Sequence, residues 1–217
     1  MKKFLYYCTL FLFLFCSNSE VFAQTAAEEE MILQRAKEKV AQLNDFISFM
    51  ANPQKPGQTR NYYKKQAEHL FIFDCNPYDE VIEYKDKRTG ELKRRKIQRQ
   101  GVTMEVASLR KTNPIPKLMR LYFRGLIGMS YKRVEIETTD IADMRVSKLE
   151  KVNDENLYVC TVHFEQKFLG IRGDGNAYED ITRKWVVCYI QIDNTVNGIE
   201  YSIRLGDVYV DSIEAVS

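Results

Sequence analysis

The sequence predicts an α+β fold, with helices gathered ahead of an antiparallel sheet. Three observations carry this expectation. Apolar residues recur at three- and four-residue steps only in the early part of the chain, short alternating segments fill it from Val81 onward, and turn-forming residues sit in the short links between those segments. Consecutive strands joined in this way favour a meander.

Residues 1–23 have the composition of a secretory leader. Lys2 and Lys3 form a positive start, residues 4–16 an apolar run, and Val21-Phe22-Ala23 precede a cut at Gln24. The apolar run is shorter than the roughly 18 to 20 residues of a spanning helix, and polar residues follow it. Phe15 stands where a lipoprotein signal carries a small residue, which argues against lipid attachment at Cys16. The expectation is a signal peptide over 1–23 and a single α+β domain over 24–217, exported to the periplasm or the extracellular medium, with no stable membrane span after cleavage.

Beyond the leader, Ile32, Leu33, Ala36, Val40, Leu43, Ile47 and Met50 predict an amphipathic helix that stops near Asn52-Pro53. The Pro56-Gly57 turn resets the chain, and a second helix follows Thr59 with Tyr62, Tyr63, Gln66, Ala67, Leu70 and Phe71 on its packed side. A hairpin is predicted over residues 81–85 and 92–98 around Thr89-Gly90. Residues 102–109 read as a strand ended by Asn113-Pro114-Ile115-Pro116, with Pro116 opening a short helix through Leu126. Residues 131–138, 144–152, 157–168, 181–193 and 198–210 read as strands. All four links between them contain turn formers, residues 153–156 and 194–198 among them.

Period two assigns faces. Tyr158, Cys160, Val162 and Phe164 form one apolar row and Val186, Cys188, Ile190 and Ile192 another, so both should meet the helices. Trp185, Val187 and Tyr189 lie on the opposite side, which is therefore not purely solvated.

The charges are balanced. The chain carries 32 Lys and Arg against 30 Asp and Glu, for a net charge of +2. Loss of Lys2, Lys3 and Glu20 with the leader takes this to +1, leaving no global field to steer nucleic acid. Cys75, Cys160 and Cys188 follow the leader. They fit either three small buried apolar residues or one disulfide plus a free thiol, with Cys160–Cys188 the best pairing because both sit in strand-like runs.

No catalytic or cofactor motif stands out, and no catalytic residue is assigned. The two histidines, His69 and His163, read as a helix-margin residue and a cross-strand partner. With the scattered cysteines they lack zinc-ligand spacing, and Asp174-Gly175-Asn176 with Glu179 and Asp180 lacks the acidic series of a calcium loop. Arg172-Gly173-Asp174 matches an adhesion tripeptide, but its glycine serves a turn. No metal and no cofactor are expected. The sharpest charge feature is the hairpin, where Lys93, Arg94, Arg95 and Lys96 offer an anionic-surface contact, set against a solvated, aggregation-resistant edge.

Two or three leading helices, a long meander and the closing Gly198-Ile199-Glu200-Tyr201-Ser202-Ile203-Arg204-Leu205-Gly206-Asp207-Val208-Tyr209-Val210 resemble exported bacterial members of the nuclear-transport-factor-2-like, or ketosteroid-isomerase-like, superfamily, with its cystatin-like fold. The resemblance covers most of residues 28–212. It implies a cone-like, strongly curved antiparallel sheet closed by N-terminal helices over a concave pocket. Tyr122, Phe123, Phe164, Tyr189 and Tyr201 would be candidates for a ligand-binding lining if that cone is open. The acid–base set of the family's enzymes is not recognisable here, so no catalytic residue carries over. The functional expectation is an exported, non-enzymatic domain that engages another envelope protein or a small apolar ligand. An isomerase or hydrolase on the same fold, and a structural homo-oligomer subunit, are the alternatives.

Overall fold

The structure, a computed structural model, describes residues 2–152, 156–195 and 198–216, with side-chain surroundings given for 26–152, 156–193 and 200–216. The side chains of the expected signal peptide, residues 1–23, and parts of the two turns expected at 153–156 and 194–198 lie outside those residues. Helix α1 runs over Lys2–Ala51 and α2 over Gly57–Glu68. The apolar stripe expected of α1 is the buried one: Ile32, Ala36, Val40, Leu43, Ile47 and Met50 are each at most 5% exposed. Among the described residues, no helix is long and apolar enough to cross a membrane.

A tight turn at Ile72–Cys75 leads to a separate two-stranded sheet, β1 (Tyr78–Lys85) and β2 (Leu92–Arg99). The main sheet has eight strands. Its path runs β4 (Lys111–Leu118), β3 (Thr103–Ser108), β10 (Gly198–Glu214), β9 (Ala177–Thr195), β8 (Leu157–Ile171) and β5 (Arg133–Thr138), with the short strands β6 (Arg145–Val146) and β7 (Glu150–Lys151) also paired to β8. Helix α3 (Met119–Ile127) lies between β4 and β5 in sequence.

Two expectations are corrected. The sheet is mixed, because β3 runs parallel to β10, with Val208 opposite Met104. It is also open and not strongly curled, with β4 and β5 as unjoined ends of the path. The cone and the nuclear-transport-factor-2-like or cystatin-like assignment are therefore overturned, while the broader α+β architecture stands. Carboxylates reinforce the parallel junction: Asp207 Oδ1 accepts the Thr103 N–H at 2.6 Å and its hydroxyl at 2.9 Å, and Glu105 Oε2 accepts the Val210 N–H at 2.9 Å. A local alternation pattern cannot report such a long-range pairing.

The prolines near 114 also behave differently from the expectation. They do not end the strand; Pro114 and Pro116 sit within β4, whose residues are almost all exposed. An edge position tolerates them because a missing N–H can face solvent without breaking a central ladder. Helix α3 consequently begins at Met119. Arg60 then ties two helix ends together, its Nε donating to the Met50 carbonyl at 2.7 Å and its Nη2 to the Ile127 carbonyl at 2.8 Å. These bonds satisfy carbonyls that helix termini leave without intrahelical partners.

Among the described residues, Cys75, Cys160 and Cys188 are buried free thiols. Cys160 and Cys188 are directly opposed between β8 and β9, and hydrogen bonding between the two thiols together with burial pushes Cys188 up. Burial first, then Glu68, pushes Cys75 to about 12. The bond between Cys160 and Cys188, opposed by burial, lowers Cys160. Because the thiolate is the reactive form, peptide mapping after iodoacetamide treatment at pH 8 should find Cys75 and Cys188 unlabelled in the native protein and labelled after denaturation. Rapid native labelling of either would contradict this placement.

Candidate functional site

The apolar rows of β8 and β9 become polar toward one end of the sheet. On β9 the buried series Ile190, Cys188 and Val186 continues through Lys184, Thr182 and Asp180. On β8 the series Cys160, Val162 and Phe164 continues through Gln166. All four polar residues are buried, and all line one cavity of about 660 Å³. That volume falls within the usual range for small-molecule sites.

Several elements build its apolar wall. Strand β3 supplies Val106, α3 supplies Tyr122 and Leu126, β5 supplies Ile136, and Met129, Tyr131 and Phe168 complete it. Tyr131 and Phe168 meet edge to face at 5.6 Å. Gly170 makes that arrangement possible, since a β-carbon there would lie 2.7 Å from the Tyr131 ring. Arg110, Arg172 and Asn176 line the same cavity from the loops beyond β3 and β8.

Lys184 Nζ donates to Gln166 Oε1 at 2.6 Å. Lysine has only donors, so the amide oxygen must face it and the amide nitrogen must point elsewhere. That nitrogen, Gln166 Nε2, is buried without a hydrogen-bond partner among the described residues. Among the described residues, no carboxylate lies within ion-pair distance of Lys184. Burial lowers the Lys184 pKa to about 8, with the more distant Asp180 pulling the other way. Asp180 is engaged by the Thr182 hydroxyl at 3.2 Å. Burial, reinforced by the bond to Asp180 and opposed by the Leu109 N–H, pushes the Tyr178 phenol to about 12. Burial also raises Tyr122, again with Asp180 contributing.

The five aromatic candidates are dispersed. Tyr122 lines the main cavity. Phe164 is buried and lines a smaller recess of about 180 Å³ with His163 and Arg183. Phe123 belongs to the core, 6.1 Å from the Phe71 ring. Tyr189 lies on the other face, where Gly206 leaves room for its ring: a β-carbon at 206 would approach it to 2.5 Å. Tyr201 sits beneath Arg35 of α1 at 5.1 Å.

On the hairpin, the antiparallel register sets acidic β1 against basic β2. Arg94 bonds Glu83 at 2.7 Å, Lys96 bonds Asp79 at 2.8 Å, and Lys93 pairs with Asp86. Among the described residues, Arg95 has no ion-pair partner and stands opposite Ile82. His163 stacks on Trp185 at 6.2 Å and lies 3.7 Å from Asp211. His69 is exposed beside Asp74. Among the described residues, no group of three or more histidine, cysteine or acidic side chains is placed to hold a metal.

Gln166, Thr182 and Lys184 carry no expectation from the sequence, and Asp180 enters it only within the discounted calcium loop. Their signal was present: extending period two backward from Val186 places a lysine on the face occupied by Cys188 and Ile190.

No known protein family matches the chain, and no curated protein matches it. Among solved structures, the crystal structure of Kfla4162 protein from Kribbella flavida aligns over 52% of this chain and 71% of that chain, at 15% identity and a TM-score of 0.29. Such a likeness carries no argument about fold or function.

Proposed function

We propose that this chain is an exported binding domain whose cavity receives a small apolar ligand. The composition of residues 1–23 supports export. The single observation behind the binding reading is the cavity of about 660 Å³, lined on one part by apolar and aromatic side chains and on another by polar and charged ones that include Gln166, Asp180, Thr182 and Lys184. Ligand sites commonly combine these features, the apolar wall supplying affinity and the polar groups orientation.

Titration with the neutral fluorophore N-phenyl-1-naphthylamine provides the check. The protein should enhance its emission in a saturable way, and Val106→Trp, which fills the cavity with an indole, should weaken binding by at least about tenfold while leaving the far-ultraviolet spectrum unchanged. Absence of saturable binding, or equal binding by a folded Val106→Trp protein, would remove the cavity as the site.

A further inference from the structure

The cavity floor presents two neighbouring donors that share an unmet need for an acceptor. Lys184 is buried and has no carboxylate within ion-pair distance among the described residues. Gln166 Nε2 is buried with no hydrogen-bond partner among the described residues. One amide carries both Oε1 and Nε2, and Oε1 lies 2.6 Å from Lys184 Nζ, so the two donors are within about 5 Å of each other. A buried cation without a counter-ion and a buried donor without an acceptor are each unfavourable. Both costs fall on the same spot, on a cavity wall.

We propose that the cavity binds a monocarboxylic acid with an apolar body, its carboxylate bridging Lys184 Nζ and Gln166 Nε2. This rests on the cavity being a ligand site and assigns the chemistry of its occupant. A carboxylate offers two acceptor oxygens, enough to meet an ammonium and an amide N–H together, and charge-assisted bonds of this kind exceed neutral ones in strength. It would also supply the negative charge that Lys184 lacks. Asp180 acts on Lys184 only from beyond ion-pair distance, its carboxylate accepting the Thr182 hydroxyl, so the direct contact on Lys184 is left for the ligand. The body of the ligand would then lie against Tyr122, Ile136 and Phe168. A neutral alcohol of the same length would gain the apolar contact but not the ionic one. An alkylammonium would meet like charge at Lys184.

Displacement of bound N-phenyl-1-naphthylamine by dodecanoate, dodecanol and dodecylammonium, each below its micellar concentration, distinguishes the possibilities. In the wild-type protein dodecanoate should displace the fluorophore at a concentration at least about tenfold lower than dodecanol, with dodecylammonium weakest. In Lys184→Met the advantage of carboxylate over alcohol should disappear while the fluorophore still binds. Gln166→Leu should reduce that advantage and retain part of it. Equal displacement by dodecanoate and dodecanol in the wild type, or an undiminished carboxylate preference in Lys184→Met, would overturn the carboxylate assignment and leave the apolar site standing. Failure of the fluorophore itself to bind would instead remove the site.

Discussion

Phe123→Ala is expected to lower the free energy of unfolding by about 3–5 kcal/mol, the cost of emptying a fully enclosed phenylalanine position. The ring has no solvent exposure and packs 6.1 Å from Phe71 and 5.9 Å from Tyr122, joining α3 to the layer beneath it. Its neighbour Tyr122 lines the cavity and Phe123 does not. Chemical denaturation should therefore show a large loss of stability, while fluorophore affinity measured well below the transition changes little. A stable Phe123→Ala protein that has lost binding would place this ring in the site and not in the core.

Lys184→Met is expected to act in the opposite direction on stability. Burial depresses the Lys184 pKa from 10.5 to about 8, so the folded state disfavours the protonated form. The resulting penalty is fully present below about pH 8 and fades as pH rises toward 10.5; at neutral pH it amounts to about 3 kcal/mol. Methionine removes that penalty but leaves Gln166 Oε1 without its donor, which offsets the gain by about 1–3 kcal/mol. The offset does not depend on pH, whereas the penalty does. The stability of the variant relative to wild type should therefore fall by about 2 kcal/mol between pH 7 and pH 10. Urea melts of both proteins at the two pH values measure this difference. A relative stability that stays constant or grows with pH would show that Lys184 is not held in a desolvated position. A residue that weakens the fold at neutral pH while facing a cavity fits a binding role, because function commonly limits stability at such positions.

Local periodicity revealed much of the architecture. The spacing of Ile32 through Met50 marked the buried stripe of α1, the Thr89-Gly90 turn marked the hairpin, and alternation marked the inner rows of β8 and β9. Pairing between distant segments was not legible. Nothing in residues 103–108 announces that they run parallel to β10, because that junction depends on Asp207 and Glu105 reaching backbone groups about a hundred residues away. The prolines of β4 misled for a related reason: whether proline stops a strand depends on whether the strand is central or at an edge. The curled sheet followed from resemblance in element order, which does not determine how far strands bend.

The site was hidden by its chemistry. Rows were traced while they remained apolar and broken where polar residues began, so the series was interrupted at Val186 and at Phe164. In the structure the same faces continue through Lys184 and Gln166 into the cavity. The aromatic candidates were chosen by residue type, and type alone does not separate Tyr122 at the cavity from Phe123 in the core or Tyr189 on the other face. Along the chain the basic hairpin has only Glu83, Asp86 and Glu91 near it, and what the sequence does not show is that the antiparallel register brings Asp79, Glu83 and Asp86 onto three of its four central cations. Exposed pairs of this kind contribute little to stability, but they reduce the charge available to a partner.

The most direct measurement of the central claim is native mass spectrometry of the protein purified from the cells that make it, with a denatured control. The account predicts a noncovalent small-molecule adduct that is lost on denaturation, identified as an apolar monocarboxylic acid and absent from Lys184→Met prepared in the same way. A protein that arrives without any small molecule, and that also fails to take up dodecanoate when it is supplied, would contradict it.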